Sequence, residues 1–341
     1  MHLHGARGLF KSWMLEIQNF TYEPLVLACS SRIRSFMVGI MAYWESIASF
    51  VTDQPLDAIS YLDPFCDQDQ IDQIYPNPWT GICTPLSIYL ARAGTLGKQQ
   101  SSLKRLHNTS PEAEIQDLLQ QALFEQARKT EQTVLHYKIP AEDRIEDTND
   151  ELTPLHHLHK VARIYRLVAL LELYRSFPEL LGGFSEETPG AAPYISSIDK
   201  LLTIATSVLT LISTIPHSSG ANALLIIPLT IAGSTLQPTA RLSDTVPRHA
   251  SWDILSAEIL SISSQEDICL NWRDFVRERI KFIYSYVGVV TVCRALEILD
   301  KVWARADIKA VLDGPGSMAT AADLVQWPEI MEDEKLETLL G

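Results

Sequence analysis

Three histidines, His156, His157 and His159, crowd the start of one predicted helix. Histidine pairs bind zinc on a helix when they lie four residues apart on one face and a further ligand comes from elsewhere. Two of these histidines are adjacent, so their side chains point to different sides of a helix and the required spacing is absent. We therefore expect a polar helix terminus here, and no metal site.

Asp67, Asp69 and Asp72 form a second set of possible metal ligands. An all-helical enzyme that uses magnesium, such as a terpene cyclase, needs paired carboxylates on facing helices, because its metal ions hold the substrate diphosphate from both sides. The three aspartates alternate with glutamines just before the stretch 75–78, and no second acidic motif follows. They are predicted to be solvated acids of a loop.

Motifs for covalent catalysis and for phosphate binding are missing from the sequence. Gly-x-Ser-x-Gly does not occur, and Gly316-Ser317 lies in a predicted turn instead of a strand-to-helix elbow. Neither the Walker sequence nor a Gly-x-Gly-x-x-Gly pattern after a strand is present. We predict no catalytic residue and no cofactor, and therefore no enzyme activity.

The five cysteines are scattered along the chain, and the closest two are Cys66 and Cys83. No Cys-x-x-Cys pair exists to start a metal site, and an odd number does not fit a disulfide framework. We interpret them as reduced thiols of an intracellular protein. The other three are Cys29, Cys269 and Cys293.

The charge of the chain argues against autonomous nucleic-acid binding. Its formal net charge is −14, so the molecule as a whole repels a phosphate backbone. One basic concentration exists, but Asp274 and Glu278 interrupt it and no aromatic stacking pattern accompanies it. We predict that it is the solvated outer side of a helix. Its members are Arg273, Arg277, Arg279 and Lys281.

Helical periodicity dominates the sequence, and alternating strand-like runs are missing. Hydrophobic residues make up 46% of the chain and charged residues 21%, which is enough apolar material for a large core. The pattern predicts an all-α fold in which residues 1–341 form one large multi-helix domain. The predicted helices cover 3–17, 23–50, 85–93, a helix that starts at 110–112, 155–177, 195–215, 221–232, 267–306 and 323–340.

Two of these helices carry specific expectations about what they bury. Gly94 and Gly97 are expected to loosen the helix that begins near Pro85. The helix after Ser110-Pro111-Glu112, where Ser110 is the predicted N-cap, is expected to bury one apolar face. That face consists of Ile115, Leu118, Leu119, Ala122, Leu123 and Ala127.

Two segments interrupt the helical pattern. Residues 53–80 carry four prolines among several aspartates, which predicts an irregular connection. We expect Trp44, Tyr75 and Trp79 to lock it onto the helices, so that Trp79→Ala costs several kcal/mol, by analogy with about 3 to 5 kcal/mol for buried aromatic truncations. Residues 140–153 are acidic and poor in apolar side chains, which predicts an exposed loop or an internal boundary.

The longest apolar stretches are Leu201–Pro216 and Ala221–Gly233. Each is shorter than the roughly 20 residues that a membrane span requires. They are predicted to be buried core helices, and no membrane association is expected.

Several segments together resemble the fungal-specific transcription factor domain, the regulatory region that follows a zinc binuclear cluster. In sequence order they cover nearly the whole chain, and they are most similar to the subgroup that contains the acriflavine-sensitivity regulators. The segments are 2–6 (His-Leu-His-Gly-Ala), 43–46 (Tyr-Trp-Glu-Ser), 75–82, 215–216, 223–233, 277–280, 296–297, 302–303 and 327–331 (Trp-Pro-Glu-Ile-Met).

The resemblance implies an all-helical nuclear protein that regulates transcription by binding an effector or a protein partner. That family usually carries six cysteines in a short basic module whose thiolates share two zinc ions. Because this sequence holds no such set, we expect no direct promoter recognition. It is either a truncated gene product or a natural regulator that pairs with a full-length factor, for example at a metabolite gene cluster. Either a homodimer or a heterodimer fits this expectation.

Two alternatives stay open at the level of sequence. A helical small-molecule-binding protein or a non-canonical biosynthetic enzyme is the main one, because abundant apolar helices can enclose a cavity. A cytoplasmic location is the alternative to the nucleus. The target genes, the effector and the oligomeric state do not follow from the residues.

Overall fold

The regular secondary structure of the described residues is helical. The computed structural model describes residues 2–18, 24–67, 73–107, 113–184, 197–238, 268–313 and 320–337. In this part of the chain no β-strand forms, and extended backbone pairs only at two isolated bridges, Ile74 with Ile145 and Asn77 with Gly81. The predicted all-α fold is confirmed.

Ten α-helices follow one another along the described residues. The predicted starts and ends of the first, second and fifth agree with the observed ones to within two residues. The helices are α1 (His2–Gln18), α2 (Pro24–Val51), α3 (Thr84–His107), α4 (Ala113–His136), α5 (Leu155–Ser176), α6 (Ser197–Ser213), α7 (Ile226–Ser234), α8 (Ile268–Val287), α9 (Val290–Asp313) and α10 (Trp327–Asp333). Short 3-10 turns cover Leu56–Phe65, Glu142–Arg144, Pro178–Phe184, Gly220–Leu224 and Ala321–Asp323.

Some expectations fall on residues outside the described part. They concern Ser110-Pro111-Glu112, Asp69, Asp72 and Gly316-Ser317.

The central helix is α5. Its consecutive residues Leu167, Val168, Ala169, Leu170 and Leu171 are all completely buried, so the helix is covered on every side. It packs against α3, α4, α6 and α7. A helical stretch that is apolar all round belongs in the interior of a domain, and α3, α4, α6 and α7 surround this one.

The helix α3 runs straight through Gly94 and Gly97, so the expectation that these glycines loosen it is wrong. A Cβ atom at Gly94 would lie 2.2 Å from Ser49 Oγ, and one at Gly97 would lie 2.5 Å from Ser176 Oγ. Glycine is needed here because α2 and α5 approach the α3 backbone closely. Tertiary packing outweighs the weak helix propensity of glycine.

The long helix predicted over residues 267–306 is two helices, α8 and α9, which pack against each other. The break is at Gly288, whose φ is +70°, and its N–H donates to the Tyr284 carbonyl at 2.8 Å. A glycine with positive φ is a common helix C-terminal signal. The apolar spacing continues on both sides of Gly288, so the sequence pattern did not reveal the break.

Gly288→Ala is expected to destabilise the fold by about 1 to 2 kcal/mol, because an L side chain is strained at this left-handed φ. Urea denaturation measures the change. The matched control is Gly8→Ala inside α1, where a Cβ meets nothing within 4 Å and a gain of about 0.5 to 1 kcal/mol is expected. Equal effects at the two glycines would contradict this interpretation.

The predicted buried face of α4 is largely exposed, which corrects the expectation. The exposed fractions are 56% for Ile115, 67% for Leu118 and 51% for Leu119, whereas Ala127 is completely buried. The C-terminal half of α4 carries the buried residues, while the N-terminal half leaves its apolar side uncovered. Periodicity identifies an apolar face but cannot say whether a neighbouring element covers it.

Two of the four basic residues predicted to be solvated are buried. Arg273 is 6% exposed and Arg279 is 2% exposed. Arg279 donates from Nη2 to the carbonyls of Ile212 and Ile215, at 2.9 and 2.8 Å. These carbonyls lie at the C-terminal end of α6, where helix carbonyls lack partners and the helix dipole is negative. Arg279 is therefore a cap for α6.

The connection over residues 53–80 is held differently from the prediction. Trp44 and Trp79 are 40% and 38% exposed, so these tryptophans are not the lock, and Tyr75 is half-buried. Trp79 contacts the Tyr43 ring, with 5.0 Å between centroids. The expected cost of several kcal/mol for Trp79→Ala is therefore corrected to a smaller one.

Asn77 fastens this connection to α2. Its Nδ2 donates to the backbone carbonyls of Ser35 and Phe36, at 3.1 and 3.2 Å. The amide lies against Gly39, where an added Cβ would come within 2.1 Å of it. A polar side chain that inserts beside a glycine is not visible in a hydrophobic pattern.

The acidic segment 140–153 has exposed carboxylates but is not uniformly solvated. Ile145 is 7% exposed, and its bridge to Ile74 joins this segment to the connection before α3. Glu146 forms an ion pair with Arg32 on α2. The exposed acids are Glu142, Asp143, Asp147, Asp150 and Glu151.

Among the described helices, none combines the length and the apolar composition needed to cross a lipid bilayer.

Candidate functional site

A cleft of 830 Å³ lies beside α1, α2 and the connection that leads to α3. Its walls combine apolar and polar side chains, and the apolar ones include Phe10, Val38, Phe65 and Ile82. Polar and charged side chains also line this cleft. The charged ones among the described residues are Lys11, Arg34 and Asp67.

A small satellite core positions α1 against this cleft. Phe10 is 4% exposed and packs with Val38 and Leu62. Its ring lies 5.7 Å from that of Tyr61 and 6.4 Å from that of Phe65, both edge-on. Such aromatic contacts stabilise by about 0.5 to 1.5 kcal/mol beyond burial, so Phe10 anchors the middle of α1.

A buried ion pair fixes α1 to α2 next to the satellite core. Arg7 donates from Nε and Nη2 to the two carboxylate oxygens of Glu45, each at 2.6 Å, and Glu45 is fully buried. Tyr61 donates its hydroxyl to Glu45 at 2.7 Å. The hydrogen bond that Arg7 donates to Glu45 raises the pKa of Arg7, and burial followed by the Glu45 charge raises the pKa of Tyr61.

This network fixes the orientation of α1, which forms one wall of the cleft. A bidentate arginine–carboxylate pair is directional as well as strong, and removal of one partner leaves a buried charge uncompensated. The position of α1 is therefore coupled to Glu45 and Tyr61.

The two cations at the cleft are not neutralised by neighbouring carboxylates in the described part of the chain. Lys11 Nζ lies 5.2 Å from the centroid of the Tyr61 ring, and Arg34 is exposed. Neither side chain forms an ion pair with a described residue. An amphipathic ligand with a negative group meets complementary charge here.

A second polar cluster lies inside the protein around the C-terminal end of α5. Arg175 is fully buried and donates to the carbonyl of Ile231 and to Ser234, but its Nε has no acceptor among the described protein atoms. Burial raises the pKa of Glu172, which lies one helical turn before it. A cavity of 140 Å³ adjoins these side chains and is large enough to admit water. We interpret the cluster as structural, because it joins α5 to α7 and to the segment before α10.

The rings of His156 and His157 contact each other, with 4.2 Å between their centroids, so the expectation that these adjacent side chains point to different sides is wrong. His157 is 8% exposed, and its Nδ1 lies 2.9 Å from Ser219 Oγ; His156 is exposed and His159 half-buried. Within the described ranges, no group of three or more His, Cys, Asp or Glu side chains is arranged to hold a metal ion. Asp67 is exposed at the cleft.

Burial also determines the chemistry of two thiols. It raises the pKa of Cys83 to about 12 and that of Cys66 to about 11, so both are poor nucleophiles at neutral pH. Cys293 is exposed.

Burial lowers the pKa of His157, and the nearby His156 and Lys160 charges lower it further. The folded state then binds fewer protons than the unfolded chain, whose histidine titrates near pH 6.5, so the contribution of His157 to stability falls as the pH decreases through and below that value. His157→Gln is expected to lose less Tm than the wild type between pH 7.5 and 5.5.

Thermal melts followed by circular dichroism at both pH values measure the difference. The matched control is His136→Gln, at an exposed position of α4, which keeps the full pH dependence of the wild type. Parallel pH dependence in the wild type and His157→Gln would refute the assignment.

Comparison with known proteins identifies the class. The chain matches the family model of the fungal specific transcription factor domain over residues 1–341. The chain therefore belongs to this family, as its ordered motifs predicted, and its role is in the regulation of transcription. This family is regulatory and not enzymatic. No curated protein and no solved structure matches the chain.

The cleft itself was missed at the level of sequence. Lys11 and Arg34 come from two helices, and Phe65 from a connection that the sequence pattern leaves irregular. Each is unremarkable in its own segment, and no motif links them. Whether these three residues line one cleft depends on how α1 packs against α2.

Proposed function

We propose that this chain regulates transcription by binding a small-molecule effector and a protein partner through its helical region. The observation that carries the proposal is the cleft of 830 Å³ with α1 as one wall. Its size lies within the roughly 300 to 1,000 Å³ of small-molecule sites. Because a buried ion pair orients α1, occupancy of the cleft is transmitted to a defined helix surface.

Protein contact is supported by apolar side chains at the surface. Ile115, Leu118 and Leu119 expose more than half of their area and follow the i, i+3, i+4 spacing of one helix face. Clusters of exposed apolar residues are typical of protein interaction surfaces. We propose that the chain assembles with another transcription regulator or with a second copy of itself.

We further propose that promoter contact comes from a DNA-binding partner protein. The net charge of −14 repels DNA phosphates, and the described residues offer no metal-binding cluster of the zinc type. The proposed location is the nucleus. The proposed targets are genes of a metabolite cluster, and this last step depends on family association alone.

A tethering experiment tests the regulatory role. The full chain is fused to a heterologous DNA-binding domain, and transcript from a reporter with the matching operator is measured in a fungal host. We expect a change of several-fold in either direction relative to the DNA-binding domain alone. A matched control is the fusion with Glu45→Gln, which disturbs the α1 anchor. No change with the intact fusion would refute the regulatory proposal.

Chromatin immunoprecipitation of a tagged chain tests the partner proposal. We expect enrichment at promoters that is lost when the DNA-binding partner is deleted. Purified chain is expected to show no shift of the same promoter DNA at physiological salt. Tight direct binding to DNA would contradict the proposal.

The cleft also supports a second candidate, a helical small-molecule-binding protein or a biosynthetic enzyme. Native mass spectrometry of the purified chain, before and after incubation with fungal extracts, separates the two. Consumption of a metabolite would favour the enzyme. A retained ligand without turnover favours the regulator.

A further inference from the structure

We infer that the cleft binds a small organic carboxylate with an apolar body, and that Lys11 and Arg34 hold its carboxylate. The inference rests on the proposed function, because it names the class of the effector. Three observations support it: the apolar side chains in the walls of the cleft, the positive charges of Lys11 and Arg34, and the position of these two cations on different helices.

The walls provide the apolar part of the site. Leu15 is 64% exposed and Met14 and Phe65 are half-buried, and all three line the cleft. Behind them, Phe10 and Val38 are packed in the satellite core, so a ligand meets a supported apolar surface. An apolar body that replaces water there gains about 25 cal/mol for each Å² buried.

The charges select an anion for the polar end. The protein as a whole carries a net charge of −14, yet two cations line the cleft and Asp67 is the one carboxylate among its described lining residues. Neither Lys11 nor Arg34 forms an ion pair with a described acid, so no carboxylate within the described part of the chain neutralises them. A local positive field in an acidic protein favours an anionic ligand.

The donor chemistry of the two cations suits a carboxylate group. A planar guanidinium and an ammonium together offer several N–H donors, and arginine matches the two oxygens of a carboxylate. Lys11 lies over the Tyr61 ring at 5.2 Å from its centroid, which places its charge next to the aromatic wall. Ser35 and Thr84 also line the cleft.

The two cations lie on different helices, Lys11 on α1 and Arg34 on α2. A carboxylate that contacts both connects the two helices at the side of α1 where Phe10 already packs. Binding therefore stabilises the docked position of α1. This coupling is how an effector can alter the surface that a partner protein meets.

Isothermal titration calorimetry with two probe carboxylates, decanoate and 2-naphthoate, tests the inference on the full chain. The neutral probes decan-1-ol and 2-naphthol match them in apolar body. We expect at least one carboxylate to bind the wild type more tightly than its neutral match. Failure of both carboxylates to bind would overturn the inference.

The cations are tested with the double variant Lys11→Gln/Arg34→Gln. We expect it to bind the carboxylate about tenfold more weakly, as for the loss of about 1.4 kcal/mol of charge-assisted hydrogen bonding, and to bind the neutral probe as the wild type does. The matched control is Lys129→Gln/Lys281→Gln, which removes the same charge at exposed positions of α4 and α8. An equal loss in both double variants would overturn the assignment of Lys11 and Arg34.

The location is tested with Ser35→Trp, which places an indole in the cleft from α2. We expect it to abolish the binding of both carboxylate and neutral probes, while its circular dichroism spectrum and its melt remain those of a folded protein. Undiminished carboxylate binding in the folded variant would place the site elsewhere and overturn the inference.

The reporter experiment distinguishes this inference from the proposed function. If the tethered chain changes transcription but binds neither carboxylate, the effector class is wrong and the regulatory role stands. If the carboxylate binds as expected but the tethered chain leaves transcription unchanged, the regulatory role fails.

Discussion

Arg279→Met is expected to destabilise the protein by about 3 to 5 kcal/mol. The guanidinium is 2% exposed and donates to Ile212 O, Ile215 O and Asn222 Oδ1. Each buried acceptor left without a donor costs about 1 to 3 kcal/mol. Burial lowers the pKa of Arg279, and this desolvation cost of the native residue offsets only part of the loss.

Urea denaturation of Arg279→Met and of a matched variant measures this effect. The control is Lys281→Met on the same helix, an exposed position at which a change within about 0.5 kcal/mol is expected. A loss of less than about 1 kcal/mol at Arg279 would mean that water replaces the guanidinium at the end of α6, and that Arg279 is not its cap.

Trp327→Ala is expected to cost about 3 to 5 kcal/mol, the usual range for a buried aromatic truncation. Trp327 is 2% exposed, and its ring centroid lies 4.7 Å from that of Phe50 on α2. Its Nε1 donates to Glu172 Oε2 at 3.4 Å. The variant therefore opens a cavity between α2 and α10 and takes a donor away from a buried carboxylate.

Trp79→Ala is the matched control, because it removes the same side chain at a site that is 38% exposed. Its ring contact with Tyr43 makes a loss of about 1 kcal/mol the expected result. Thermal and chemical denaturation of both variants compare the two sites. A loss at Trp79 as large as that at Trp327 would restore the lock that the sequence pattern predicted for residues 53–80.

Helix identity was predictable wherever apolar spacing and end signals agreed. For α5, the period of Val161, Ile164, Val168 and Leu171 places the helix, and Pro178 with the following glycines ends it. The limits of α1 and α2 follow in the same way. Local sequence decides these elements because hydrogen bonds within a helix join residues only four apart.

The wrong predictions share one physical origin: the sequence of a helix does not specify which elements pack against it. Gly94 suggests a weak point in α3, yet the close approach of Ser49 requires it. Ile115 suggests a buried face on α4, yet nothing in the described part of the chain covers it. Arg279 suggests a solvated face of α8, yet it meets the carbonyl end of α6.

The cleft shows the same limit for function. Family membership was readable from short motifs in order, because those motifs lie within single segments. The site was not readable from the sequence, since Lys11, Arg34 and Phe65 come to line one cleft only when the Arg7–Glu45 ion pair docks α1 against α2.

By itself, the sequence determined the helical class, the limits of α1, α2 and α5, the acidic charge and the family, since each depends on residues near one another along the chain. Tertiary structure alone decided which faces are covered, which arginines are buried and where a ligand-sized cleft forms. Those outcomes depend on contacts between residues that are distant in sequence. Local periodicity carries no information about such contacts.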